Sequence, residues 1–87
     1  MHPRIATITV TAAYTLAITW EDGGADIVDM EGVVFGFDLF APLRDPSVFA
    51  QVEIMGWGDG VEWPNGLDYS ADSLAFQATE QPVVSGA

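Results

Sequence analysis

Carboxylates are nearly the only side chains here that could do chemistry: the 87 residues carry thirteen Asp and Glu, two Arg, a single histidine (His2) and no cysteine. Without a thiolate there is neither a disulfide framework nor a sulfur-ligated metal site. A lone histidine near the N-terminus has no second His or Cys to share a metal, and a Ser-His-Asp or Cys-His nucleophile would have to be assembled through His2 itself. Gly56, Gly58 and Gly60 superficially resemble a phosphate-cradling loop. Their acidic flanks, and the want of a helix start in the required place, make them a hairpin turn instead. Glu21, Asp22 and Asp26 fall close together around one turn but lack the alternating spacing and terminal glutamate of a calcium loop. They read as a solvated acidic turn with weak adventitious cation binding at most. Arg44, beside Asp45 and near Asp38, reads as a local ion pair steadying the start of a helix. No catalytic, metal-ligating or cofactor-binding residue is assigned, and an enzyme is not expected. Trp57 is different. Placed between Gly56 and Gly58 with no neighbour in sequence to pack on, it either folds back onto a sheet or meets a partner, the use aromatics serve at binding hot spots. With Asp59, Glu21, Asp22 and Asp26 it forms the candidate contact set.

Charge narrows the partner. Thirteen acids against Arg4 and Arg44 give a formal net charge of -11. A nucleic-acid binder must neutralise several phosphates with Lys or Arg, so that class is excluded, and anionic membranes are excluded by the same sign. Such a surface attracts cations and basic proteins with a strong salt dependence, or else serves solubility alone, as in a salty cytoplasm. We therefore expect a basic protein partner, with the chain a monomer or at most a weak homodimer. The alternative is a small-molecule or cation site at the Gly56 to Gly60 loop. Met1 to Ile5 lacks a secretory signature, and no apolar run approaches the ~20 residues of a membrane helix, so a cytoplasmic location is expected.

The elements that must position these groups are legible from periodicity. Apolar residues make up 49% of the chain, enough for a folded domain despite the charge. Ile5 to Val10 reads as a strand with Ala6, Ile8 and Val10 on one face. Tyr14, Leu16, Ile18 and Trp20 alternate with Thr15, Ala17 and Thr19, the clearest strand in the sequence, and Glu21-Asp22-Gly23-Gly24 turns it into a return strand over Ala25 to Met30. Val33, Phe35, Phe37 and Leu39 alternate too, so the region from Glu31 to Phe40 is expected to be extended, although Gly32 and Gly36 weaken it. Asp45-Pro46 starts a short helix to about Ala50. Val52 to Ile54 and Val61 to Trp63 form a second hairpin across the Trp57 loop. Pro64-Asn65-Gly66 reverses the chain, Ser70 caps a helix to Phe76, and Leu74 and Phe76 close over the sheet. The expected fold is α+β: an antiparallel sheet of about five strands in two hairpins with two short helices on one face. One domain over residues 1–79 and a flexible tail over 80–87 are expected.

With those segments in order, the chain resembles the small bacterial domain-of-unknown-function family 2442. The residues that carry the likeness are His2 to Ile5, Tyr14 with Leu16, Trp20 to Gly23, Asp29, Phe40, Leu43 to Asp45, Phe49, and above all Gly60-Val-Glu-Trp63-Pro64-Asn65-Gly66-Leu-Asp68. The resemblance implies an α+β domain of no established activity, often encoded beside another small gene, a context suggestive of toxin-antitoxin pairs. Two departures stand out: the strand after the first hairpin lacks a basic residue found in many relatives, and Ala75 replaces an aromatic. Some relatives also carry a C-terminal DNA-binding helix-turn-helix, which these 87 residues are too few to hold, so no DNA role is expected to carry over.

Overall fold

Strict alternation builds the first sheet as expected. In a computed structural model that describes residues 4–80, Thr15–Trp20 (β2) buries Leu16, Ile18 and Trp20 and turns Thr19 outward. It pairs antiparallel with Ile5–Ala12 (β1) on one side and Ala25–Asp29 (β3) on the other. The turn from β2 to β3 closes because Gly23 adopts φ +97° and its amide donates to the Trp20 carbonyl at 2.9 Å, while Asp22 Oδ1 accepts from the Gly24 amide. In β1 a register shift between Ile5 and Thr7 changes the expected face: Ile5 is buried and Ala6 is exposed, while Ile8 and Val10 stay half-buried. Tyr14 belongs to the tight β1–β2 turn, with φ +63°, rather than to the strand.

The region expected to be extended between Glu31 and Phe40 is helical. Glu31–Gly36 forms α1 and Asp38–Arg44 a 3-10 segment. The alternation of Val33, Phe35, Phe37 and Leu39 competed with a second pattern, Met30, Val33, Val34, at helical spacing, and the second pattern faces the core: Met30 and Val34 are fully buried. Phe40 and Leu43 follow three apart, both buried in the 3-10 turn. Arg44 secures the junction, its Nε donating to the Val34 carbonyl at 2.9 Å, a C-terminal cap for α1 beyond the expected ion pair with Asp38 at 3.7 Å.

Asp45 starts Pro46–Phe49 (α2) as its sequence requires, accepting at Oδ1 from the Ser47 amide at 2.9 Å and hydroxyl at 2.7 Å. The Ser47 hydroxyl first, then its amide, hold the Asp45 carboxyl below its ordinary value. A carboxylate with a depressed pKa in the fold adds stability that is present above its unfolded pKa and lost as the pH falls through the folded one. Asp45→Asn should therefore flatten the acid limb of the stability profile below about pH 4. Melting temperatures of the two proteins across that range check this, and parallel curves would refute it.

The remaining strands form a second sheet, not an extension of the first. Glu53–Met55 (β4), Gly60–Glu62 (β5) and Asp68–Ser70 (β6) pair antiparallel in that order, so six strands in two three-stranded sheets replace the single sheet of about five. The α+β class stands. Pro64 to Gly66 reverses the chain as expected, with Gly66 at φ +91°, but the chain returns first as β6. Only then does Ser70 cap Ala71–Glu80 (α3), its Oγ accepting from the Ser73 amide at 3.0 Å. Leu74 is buried, but Phe76 is 68% exposed and does not close over the sheet. Two residues along a helix turn the side chain through about 200°, so the two positions cannot share a face. Trp63 lies in the core, donating from Nε1 to the Phe49 carbonyl at 2.9 Å. On the far side of α3, burial raises the pKa of the Tyr69 phenol, which donates to Gln77 Oε1, and Gln77 Nε2 donates to the Asp29 carbonyl, tying β6, α3 and β3 together. His2 and the tail beyond Glu80 fall outside the described residues.

Candidate contact surface

The loop between β4 and β5 makes two glycine bends so that Trp57 can stand clear of it. Gly56 has φ +55° and Gly58 φ +94°. The Gly58 amide donates to the Met55 carbonyl at 3.1 Å, and the Gly58 carbonyl accepts from the Ile5 amide at 3.0 Å. The start of β1 lies so close to Gly58 that a Cβ there would meet the Ile5 carbonyl oxygen at 2.7 Å. Arg4 Nη1 donates to the Trp57 carbonyl at 3.2 Å. The loop is thus fixed by its backbone while the Trp57 side chain is 80% exposed. An aromatic presented this way loses little conformational freedom on binding.

Arg4 also gathers the other candidates. Its carbonyl accepts from the Glu21 amide at 2.9 Å, so the acidic turn after β2 and the Trp57 loop flank the same start of β1. Glu21 and Asp59 are exposed there, and the Asp59 carbonyl accepts from the Ala71 amide at 2.7 Å. Asp22 and Asp26 are partly committed to structure: Asp22 closes its turn, and Asp26 Oδ2 accepts from the buried Trp20 indole at 2.7 Å. Arg4 was not foreseen as a positioning residue. Its partners stand 53 and 17 residues away in sequence, and nothing local signals them.

Among the described residues no group of three His, Asp or Glu could hold a metal ion. Gly58, in the loop where the alternative ligand site was expected, packs closely on the β1 backbone. Shallow grooves lie elsewhere: one of about 400 Å³ is lined by Tyr69, Asp72, Ser73, Phe76 and Gln77, and one of about 340 Å³ runs over the outer face of the first sheet past Thr7, Ala17 and Ile27. No helix among the described residues is long and apolar enough to cross a membrane.

Two three-stranded antiparallel sheets joined at the start of β1, with short helices packed against them, define a small α+β domain with an exposed aromatic loop. The chain belongs to the family described as protein of unknown function (DUF2442), which matches residues 5–80. Its fold is similar to the crystal structure of a protein from Nitrosomonas europaea described as a "putative DNA binding protein", with a TM-score of 0.80 and 32% identity over 91% of this chain. The chain spans 50% of that protein's length. None of the curated proteins matches the chain significantly.

Proposed function

We propose that this domain is a non-catalytic, cytoplasmic protein-interaction module, the acidic, antitoxin-like member of a pair whose other member is a small basic protein encoded nearby. The observation that carries the reading is Trp57, 80% exposed on a loop whose backbone is hydrogen-bonded on both sides. A large rigid aromatic beside exposed carboxylates is the composition of a hot spot for a basic surface. The net charge of -11 supports a basic protein over nucleic acid, because only Arg4 and Arg44 could answer phosphates and both donate to backbone carbonyls. The description given to the Nitrosomonas europaea protein concerns a longer chain, of which the match covers 50%.

The test is to co-purify the protein with the product of its adjacent gene and follow association and dissociation separately. Association should slow as salt rises, because the Debye length shrinks from ~10 Å at 0.1 M to ~3 Å at 1 M. Trp57→Ala should leave the association rate nearly unchanged and speed dissociation by roughly 30-fold, the kinetic equivalent of ~2 kcal/mol at a hot spot. No complex at low salt, with tight binding of a metabolite or metal instead, would overturn the proposal.

A further inference from the structure

A second exposed surface lies at the opposite end of the first sheet. Phe35, Phe37 and Leu39 are 50%, 59% and 68% exposed, three large apolar side chains within five consecutive residues at the junction of α1 and the 3-10 segment. Their exposed areas sum to on the order of 300 Å² of apolar surface, comparable with the patches that are often functional on a small protein. The ridge is held from beneath. The Phe35 ring meets the Tyr14 ring edge-on at 5.1 Å and has the Arg44 guanidinium 5.5 Å from its centroid. The Phe37 amide donates to the Val33 carbonyl at 3.3 Å, and the Phe37 carbonyl accepts from the Phe40 amide at 3.0 Å. Tyr14 in turn donates its hydroxyl to the Arg44 carbonyl. Trp57 sits by Ile5, which is paired with Trp20 at the far end of β2, so the six residues of that strand, roughly 17 Å, separate the two surfaces.

We infer that the Phe35, Phe37, Leu39 ridge is a docking surface for a basic amphipathic helix of a partner protein. This rests on the interaction-module reading and adds the place and shape of a contact to it. Charge complementarity selects the occupant. Glu31 and Asp38 are exposed on the same stretch; its one basic residue, Arg44, donates to the Val34 carbonyl and offsets Asp38 at 3.7 Å, so Glu31 and the chain's net charge of -11 set the sign of the surroundings. A second copy of a chain with net charge -11 would bring like charges together around the apolar contact. A helix carrying Lys or Arg beside its apolar stripe would bring opposite ones.

The experiment is a titration of the isotopically labelled protein, followed by amide resonances at low salt, with a synthetic amphipathic helix of Leu and Lys and with the same residues scrambled. Shifts should concentrate on Val33 to Phe40 and be weaker for the scrambled peptide. A double variant, Phe37→Ser with Leu39→Ser, should weaken binding by at least 10-fold with its melting temperature kept, since both side chains project into solvent, and Trp57→Ala should not change it. Shifts centred on Met55 to Asp59, unaffected by the double variant, would overturn the ridge and leave the interaction module standing. Equal, diffuse responses to both peptides would also overturn the ridge, reducing it to charge alone. No response at low salt would count against both readings. Concentration-dependent dimerisation that the double variant abolishes would assign the ridge to a second copy and overturn the basic partner.

Discussion

Trp63→Ala is expected to cost about 3 to 5 kcal/mol of stability, the range for removing a buried Trp. The ring is 2% exposed, and it packs against Phe49 with centroids 5.7 Å apart. Its indole N–H is one of two donors to the Phe49 carbonyl, so truncation leaves a cavity and also removes the shorter of that carbonyl's two hydrogen bonds, leaving the one from the Val52 amide at 3.2 Å. Small domains of this size have stabilities near the lower end of the usual 5 to 15 kcal/mol, so this one change threatens the fold. At ~4 to 8 °C per kcal/mol, the melting temperature should fall by at least ~12 °C. Trp63→Phe separates the two causes, since it keeps most of the volume and loses the hydrogen bond. It should fall between the wild type and Trp63→Ala, and an unaltered melting temperature in the alanine variant would overturn the placement of this side chain in the core.

Gly58→Ala should be the second most damaging change, and it should damage the contact surface along with the fold. The added methyl would stand 2.7 Å from the Ile5 carbonyl oxygen and 2.9 Å from its nitrogen, and both are backbone atoms that no rotamer change can move aside. The residue also holds φ +94°, a region that L side chains resist. Overpacking and backbone strain together come to about 2 to 4 kcal/mol. The chain can relieve them only by lifting the start of β1 off the loop, which breaks the bond from the Ile5 amide to the Gly58 carbonyl and the one from Arg4 to the Trp57 carbonyl. Gly66→Ala is the matched control: its φ is +91°, but nothing lies within 4 Å of its added methyl, so it should show the strain without the clash. The difference in melting temperature between the two variants measures the cost of the clash. Faster amide exchange at Ile5 in Gly58→Ala alone would show that β1 has lifted, and equal behaviour of the two variants would refute the close approach.

What the sequence by itself determined lies where a pattern and its cause are neighbours in the chain. Period-two alternation from Leu16 to Trp20 with Asp-Gly beyond it dictated the β2–β3 hairpin, Asp45 before Pro46 dictated α2, and Ser70 dictated the start of α3, because each signal acts through bonds to residues two to four positions away. The exposure of Trp57 was one of two outcomes the sequence left open. Tertiary structure decided the rest. Alternation from Val33 to Leu39 and helical spacing from Met30 to Val34 were both present, and only the packing of Met30, Val34, Phe40 and Leu43 into one core selected the helix and left Phe35, Phe37 and Leu39 outside. The division into two sheets was hidden for a related reason: β6 is a three-residue polar strand, formed because the Pro64 to Gly66 turn delivers it to the edge of β5, where Gly60 has no side chain to hold it off. The rigidity of the Trp57 loop depends on Arg4 and Ile5, more than fifty residues upstream, and a contact closed over that distance leaves no local trace in composition or period because its energy is realised only once the two sheets have met.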